Sequence, residues 1–363
     1  MRSIRRRLFS RPAGAHAGIE EIARHRGAEY TSAAVHSAAP PATRCAAAAV
    51  SLMILLAVAP AFASPAVAEE RPNAFAAVPA SVVRGNAFRV VTEDPGPVAL
   101  STPDGTVIAE TRAFPVTLTR DIRVAVALLG APSTLSEGAY EVRLMDGDGG
   151  VEARQELLIG DREFIRETIA LNQSLTELRA DPDPRKTEEA LELIALVAQV
   201  NPGAVYSDGS FDLPVQEEFR ESSFFGDRRT FAYADGANAN AIHYGLDLAA
   251  PTGTPVYAAA PGRVAFVGDR IVTGGSVVIE HLPGVYGLYY HLNSVDVNAE
   301  DIVTRGEPIG TVGATGLATG PHLHWEIRVA GVPVEPKELL DNALLDRATI
   351  YRDIFESDIP EGR

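Results

Sequence analysis

The chain has 363 residues, 46% of them hydrophobic, a formal charge of −16 and a single cysteine. That length and apolar content suffice for more than one buried core, and the acidic balance excludes an electrostatic case for binding nucleic acid or an anionic membrane. The charge is uneven: the leader through Arg44 holds eight Arg against three Glu, leaving 24 basic and 45 acidic residues in the remainder.

In chain order, residues 1–68 read as a targeting segment. Residues 46–63 are mostly Ala, Leu, Val and Ile, broken by Ser51 and Pro60, and follow Arg44 and the basic cluster Arg2, Arg5, Arg6, Arg7 and Arg11. Ala61-Phe62-Ala63 and Ala66-Val67-Ala68 both fit an A-x-A cleavage pattern, so an export signal cut after Ala63 or Ala68 is the favoured reading. The competing reading is membrane anchoring by residues 46–63, since about 18 apolar residues just span a bilayer. Both place the rest of the chain outside the cytoplasm, in the periplasm or cell envelope. The leader ahead of the apolar run is long for a signal, which points to a translation start downstream of Met1. Cys45 lies at its edge, so the exported part would carry no disulfide.

Residues 72–160 alternate short apolar runs with turns: Phe88 to Thr92, Val98 to Ser101, Thr106 to Ala109, Arg123 to Leu129, Tyr140 to Met145 and Val151 to Ile159. Six or seven strands in this span predict an immunoglobulin-like β-sandwich. It holds no catalytic cluster and is read as a positioning unit or as the surface for a cell-envelope protein partner.

Residues 161–222 read as a helical linker. A helical period runs over Asp161 to Leu178 through Phe164, Ile165, Ile169, Leu171, Leu175 and Leu178, and another over Arg185 to Val200 through Leu191, Ile194, Leu196 and Val197. Asp181-Pro182-Asp183-Pro184 separates them and Asn201-Pro202-Gly203 ends the second, which predicts a short helical hairpin, either a spacer or an element lying over a groove. Asp208, Asp212 and Glu217 in the following loop are ordinary solvated acids, with an inhibitory metal ligand as the sharper alternative.

Residues 223–341 read as antiparallel β-sheet, from apolar runs such as Pro255 to Ala258, Arg263 to Val267, Ser276 to Glu280 and Leu288 to Leu292 between Gly and Pro turns. Residues 342–363 are left as a C-terminal tail. The chemistry concentrates in this sheet. In His322-Leu323-His324 alternate residues of a strand project two imidazoles onto one face. His243 and Asp247 stand four apart, and His291 lies in an apolar strand. Two His and one Asp make an open zinc site with a fourth position left for water, and a spare imidazole suits proton transfer. A lone strand histidine is more often a core residue, and an isolated H-x-H pair is no proof of a metal. Yet the chain has only eight His, three of them in the leader, and four of the remaining five fall into these three motifs. His281, before the turn Pro283-Gly284, is read as structural. Glu326 is open between a partner behind a ligand and a solvated strand residue, and Tyr233 and Tyr289 are noted as oxyanion donors outside the catalytic set.

The segment from about Phe224 to Leu340, roughly a third of the chain, resembles the LytM/lysostaphin-type zinc metallopeptidases that cut peptidoglycan peptides. The resemblance rests on His243 and Gly245 to Val256, on Ala258 to Val264, and on Tyr289-Tyr290-His291-Leu292. It continues through Gly306 to Gly310, Gly313 to Gly316 and Thr319 to His324. It implies Zn2+ held by His243, Asp247 and His324, and His291 and His322 as catalytic residues beside a metal-activated water. It also implies an antiparallel-β peptidase domain whose loops wall a groove for peptidoglycan peptides. The implied activity is that of an exported zinc metalloendopeptidase; the alternative is a non-catalytic LytM-like module that activates a separate cell-wall amidase. A sugar hydrolase is disfavoured, because it needs two facing carboxylates and no zinc site.

Overall fold

A computed structural model describes residues 74–355. The readings of the leader, the apolar run 46–63 and Cys45 lie outside those residues. Among the described residues no helix is long and apolar enough to cross a membrane.

The chain is mostly β. Nine strands before residue 161 form two sheets. The first runs in the order Phe75–Ala77, Ala87–Thr92, Arg123–Gly130, Phe114–Thr117; the second in the order Ser81–Val83, Val151–Gly160, Gly138–Met145, Pro97–Ser101, Val107–Arg112. They enclose a shared core of Val90, Val98, Leu100, Leu129, Val142 and Leu157, which is the sandwich the sequence predicts. Phe75–Ala77, Ser81–Val83 and Phe114–Thr117 are three or four residues long, too short for alternation to reveal them.

The Arg123–Gly130 strand joins the sandwich to the C-terminal part of the chain. Ala125, Ala127 and Leu129 point into the sandwich, while Val124, Val126 and Leu128 join the core of the C-terminal part. A strand buried on both faces reads as a continuous apolar run, as this one does. Residues 342–355, part of the stretch read as a tail, belong to this joint: Leu345 and Ile350 are fully buried, and Asp353 on the Arg347–Phe355 helix pairs with Arg89 at 2.5 Å.

An eight-stranded sheet, antiparallel throughout, forms the C-terminal part. Leu323–Val329 lies between Leu246–Ala249 and Val285–Leu292. One face of these strands places Leu246, Leu248, Tyr289, Leu323, Trp325 and Ile327 in the core, each contributing about 1.5–3 kcal/mol by burial. The other face carries Asp247, His324 and Tyr290, mutual partners across the strands. A slip of one residue would put Trp325 on the histidine face, so the core pins the register that aligns the polar side chains.

The helical period read over 161–178 is overturned in its first half. Arg166–Ala170 is a strand, parallel to Arg228–Ala232, and Asn238–Ile242 completes a three-stranded sheet. Ile165 and Ile169 have helical spacing, but Thr168 and Ile169 are β-branched, and a distant partner strand supplies a ladder that no local pattern discloses. The helix begins only at Gln173, where the Asn172 side chain accepts from the Leu175 N–H at 2.9 Å, and ends at Ala180. The second helix, Pro184–Val197, starts with an Asp183 cap and a proline in its first turn, so the short hairpin stands. Its Leu193 and Val197 pack on Val278, Tyr286, Leu288 and Tyr290, the sheet face that carries His324. The helix therefore covers the site's side of the sheet, and Glu189 accepts from the Ile271 N–H at 2.9 Å.

Candidate metal centre

The centre grows from a row across four strands: Ser223 opposite Asp247, Asp247 opposite His324, His324 opposite Tyr290. His243 reaches the row from just beyond the Asn238–Ile242 strand. Its Nε2, Asp247 Oδ1 and His324 Nδ1 form a triangle with all three edges at 2.9 Å. Sequence reading named these three as ligands, and the fold brings them together; they are a group that could hold a metal ion.

Each corner is held from behind. His243 Nδ1 lies 2.9 Å from the Phe224 carbonyl, which can only accept, so this nitrogen carries the proton and Nε2 presents a lone pair. His324 Nε2 faces Glu326 Oε2 at 3.6 Å, which likewise keeps the proton there and leaves Nδ1 a lone pair. Asp247 Oδ2 accepts from an Arg229 NH2 group at 2.8 Å, leaving Oδ1 in the triangle. Three largely buried acceptor atoms thus point at one another, and they repel unless a cation or a proton lies between them. Burial pushes the His243 pKa down. Burial also opposes ionisation of Asp247, yet His243 and His324 outweigh it and hold the carboxyl well below the usual range. At His324 burial is overcome by the carboxylates of Asp247 and Glu326, which raise its pKa to about 9, so that without a cation Nδ1 takes up the proton that relieves the repulsion. The site's demand is for positive charge. Two imidazoles and a carboxylate suit zinc, whose tetrahedral bonds of about 2.0–2.1 Å set donors roughly 3.4 Å apart, so these residues fit the ion after a small expansion.

His291 and His322 stand beside the triangle. Their ring centroids are 4.8 Å apart, and that of His291 lies 6.2 Å from that of His324. Strict alternation after Tyr290 would send His291 to the core face. Instead its φ is 62° and the pairing with Gly274–Leu282 shifts register beside it, which turns the ring back to the site. Its Nδ1 donates to Thr315 O at 2.8 Å, and His322 Nδ1 donates to Gly320 O at 2.8 Å. In both rings Nε2 is the free base, and in His322 it lies 3.8 Å from Asp247 Oδ1. Burial, then His322 and His324, push the His291 pKa down to about 3.

The remaining sequence candidates separate cleanly. Glu326 is buried and pairs with Arg328 at 2.5 Å, so it is the partner behind His324 and not a solvated residue. His281 is buried, with Nδ1 2.8 Å from Pro261 O and its ring edge-on to Phe211. Tyr289 is fully buried and its hydroxyl accepts from Ala259 N–H, a core role. Tyr233 sits in a hairpin turn, its N–H donating to Ala237 O. Asp208 pairs with Arg347, Asp212 with Arg305, and Glu217 with the Tyr257 hydroxyl, all away from the triangle. Sequence reading missed Arg229 and Glu167; the one signal was charge at Arg228 and Arg229 inside a strand-like run.

The sequence profile of Peptidase family M23 matches residues 241–336. The chain is 50% identical over 95 residues to the DD-carboxypeptidase/endopeptidase Mpg of Neisseria meningitidis serogroup B, covering 26% of this chain and 22% of that protein. It is 40% identical over 121 residues to the peptidoglycan DD-endopeptidase ShyA of Vibrio cholerae, covering 33% and 27%. It thus spans about a quarter of the length of the curated relatives it matches. A crystal structure of a putative peptidase M23 from Pseudomonas aeruginosa aligns with a TM-score of 0.49 at 27% identity, over 71% of this chain and 94% of that one. Residues 241–336, which carry the triangle and both flanking histidines, are a domain of the M23 peptidase family, of the LytM type.

Proposed function

We propose that the chain is an exported zinc metalloendopeptidase that hydrolyses peptide bonds in peptidoglycan peptides, in the periplasm or cell envelope. One observation carries the reading: His243 Nε2, Asp247 Oδ1 and His324 Nδ1, largely buried and 2.9 Å apart, converge on one another with a polar partner behind each side chain. The substrate class is supported by the relatives named as DD-endopeptidases.

In this reading His243, Asp247 and His324 hold zinc, which when bound supplies Lewis acidity toward a peptide carbonyl and acidifies water. His322 takes the proton of the attacking water at Nε2, where Asp247 at 3.8 Å stabilises the resulting charge, and returns it to the leaving amine. His291, kept neutral by burial, accepts a hydrogen bond from that water at Nε2 and orients it. The left-handed backbone at His291 costs on the order of 1–3 kcal/mol, a strain retained where the surrounding structure needs the side chain in place. The sandwich, which shares a core strand with the peptidase part, is assigned to positioning that part or to docking a cell-envelope partner.

The test is zinc content together with release of muropeptides from purified peptidoglycan. The parent chain is expected to bind about one zinc and to release cross-linked peptides. His324→Ala loses both, whereas His291→Ala and His322→Ala keep zinc and lose release. A parent that binds no zinc and releases nothing overturns the enzyme reading and favours a non-catalytic module acting on a separate amidase.

A further inference from the structure

We propose that Arg229 and Glu167 are a positioning pair for Asp247, so that the Arg166–Ala170 strand, which lies before the matched family region, is a working part of the metal centre; this rests on the zinc reading above.

The two oxygens of Asp247 do different jobs. Oδ1 belongs to the triangle, and Oδ2 accepts from an Arg229 NH2 group at 2.8 Å. Arg229 is fixed in turn, its Nε donating to Glu167 Oε1 at 2.8 Å, and the same oxygen accepts the Ser223 hydroxyl at 2.9 Å. Glu167 and Arg229 are direct partners in the parallel ladder, and Ser223 is the cross-strand partner of Asp247. The circuit closes on itself: Asp247 holds Arg229, Arg229 holds Glu167, Glu167 holds Ser223, and Ser223 lies opposite Asp247.

The chemistry of each part suits the task. A guanidinium is a rigid fork whose separate N–H groups reach two carboxylates at once, which an ammonium cannot copy. Arg229 and Asp247 side chains are only 14% and 8% exposed, so water does little to weaken their charge-assisted bond. With Oδ2 tied, the carboxylate presents one oxygen to a metal in one orientation. Untied, it can rotate about its last side-chain bond, and its second oxygen competes for the ion. Partners of this kind are worth 10–100-fold in metal affinity, as an order of magnitude. The bland alternative is an ion pair that merely fastens the three-stranded sheet to the eight-stranded one. That role would change stability and leave affinity alone.

The experiment uses the full chain. Zinc dissociation constants are measured by competition with a chromophoric chelator, and thermal unfolding is followed on the zinc-free protein. Arg229→Met is expected to weaken zinc binding about 10–100-fold, and Glu167→Gln by a smaller factor in the same direction. The double variant should be no weaker than Arg229→Met alone, because Glu167 acts through Arg229. Arg229→Lys, which keeps the charge but not the fork, should recover only part of the loss. An unchanged dissociation constant in Arg229→Met with a lowered unfolding temperature overturns the proposal. If Arg229→Met fails to fold, Glu167→Gln, which preserves shape, decides: unchanged affinity overturns the proposal and weakened affinity supports it. A parent that takes up no zinc sinks the metal reading itself, a failure visible before any variant is made.

Discussion

Glu326 stands directly behind His324, its Oε2 3.6 Å from the ring Nε2 while the ring Nδ1 enters the donor triangle. At that separation the contact is electrostatic rather than a full hydrogen bond, and Glu326 is itself neutralised by Arg328 at 2.5 Å. The carboxylate thus favours the tautomer with the proton on Nε2 and raises the basicity of the ligand nitrogen. Glu326→Gln keeps the shape and removes the charge. We expect zinc affinity to fall about tenfold or more, and stability of the zinc-free protein to fall by about 3 kcal/mol because the buried Glu326–Arg328 ion pair is broken. Chelator competition and denaturant unfolding read the two effects separately; wild-type affinity in this variant would remove Glu326 from the metal centre.

The orientation of His291 hangs on one carbonyl. Thr315 O accepts the ring Nδ1–H at 2.8 Å, and the Thr315 hydroxyl ties its loop to Leu292 O at 2.9 Å and to Gly275 N–H at 3.0 Å. Gly316 follows with φ 71°, and a Cβ there would lie 2.5 Å from both Gly274 N and Val272 O. Gly316→Ala must push these two loops apart and carry the Thr315 carbonyl with them. The expected result is unchanged zinc content with peptide release down about 100-fold, the scale of loss for a reacting group misplaced by roughly 1 Å. Release at the parent rate would mean that His291 is not held by this loop, or not used.

How far the site was legible depends on where its residues lie. His322 and His324 are two apart on one strand and His243 and Asp247 four apart, spacings that period and turn make readable. The second role of Glu326 comes from the same alternation as His324, but only the buried Arg328 beside it decides between a partner and a solvated acid. His291 was legible as a residue and not as a direction, since alternation points it at the core and a left-handed φ reverses it. Arg229 and Glu167 were not legible as partners. They are 62 residues apart and meet through a parallel pairing between a stretch that reads as helix and one inside the segment that reads as antiparallel sheet. Local pattern fixes which face a side chain takes, whereas the outer layer of this centre depends on which strands find each other.

Gly245 limits what the motif around His243 tolerates. A Cβ at this position would lie 2.5 Å from Trp325 O and 2.7 Å from His324 Nε2. The carbonyl belongs to the strand whose core face holds Trp325, fully buried, so the strand cannot retreat. The His324 ring must therefore leave the triangle. We expect Gly245→Ala to lose zinc as completely as His324→Ala and to cost about 1–3 kcal/mol of stability through overpacking. Gly253→Ala is the matched control: φ there is 92° and nothing lies within 4 Å of the added carbon. It should pay only the backbone cost of about 1–2 kcal/mol and bind zinc like the parent. Equal zinc binding by both variants would show that His324 can be displaced without loss of the ion, and would remove it from the ligand set.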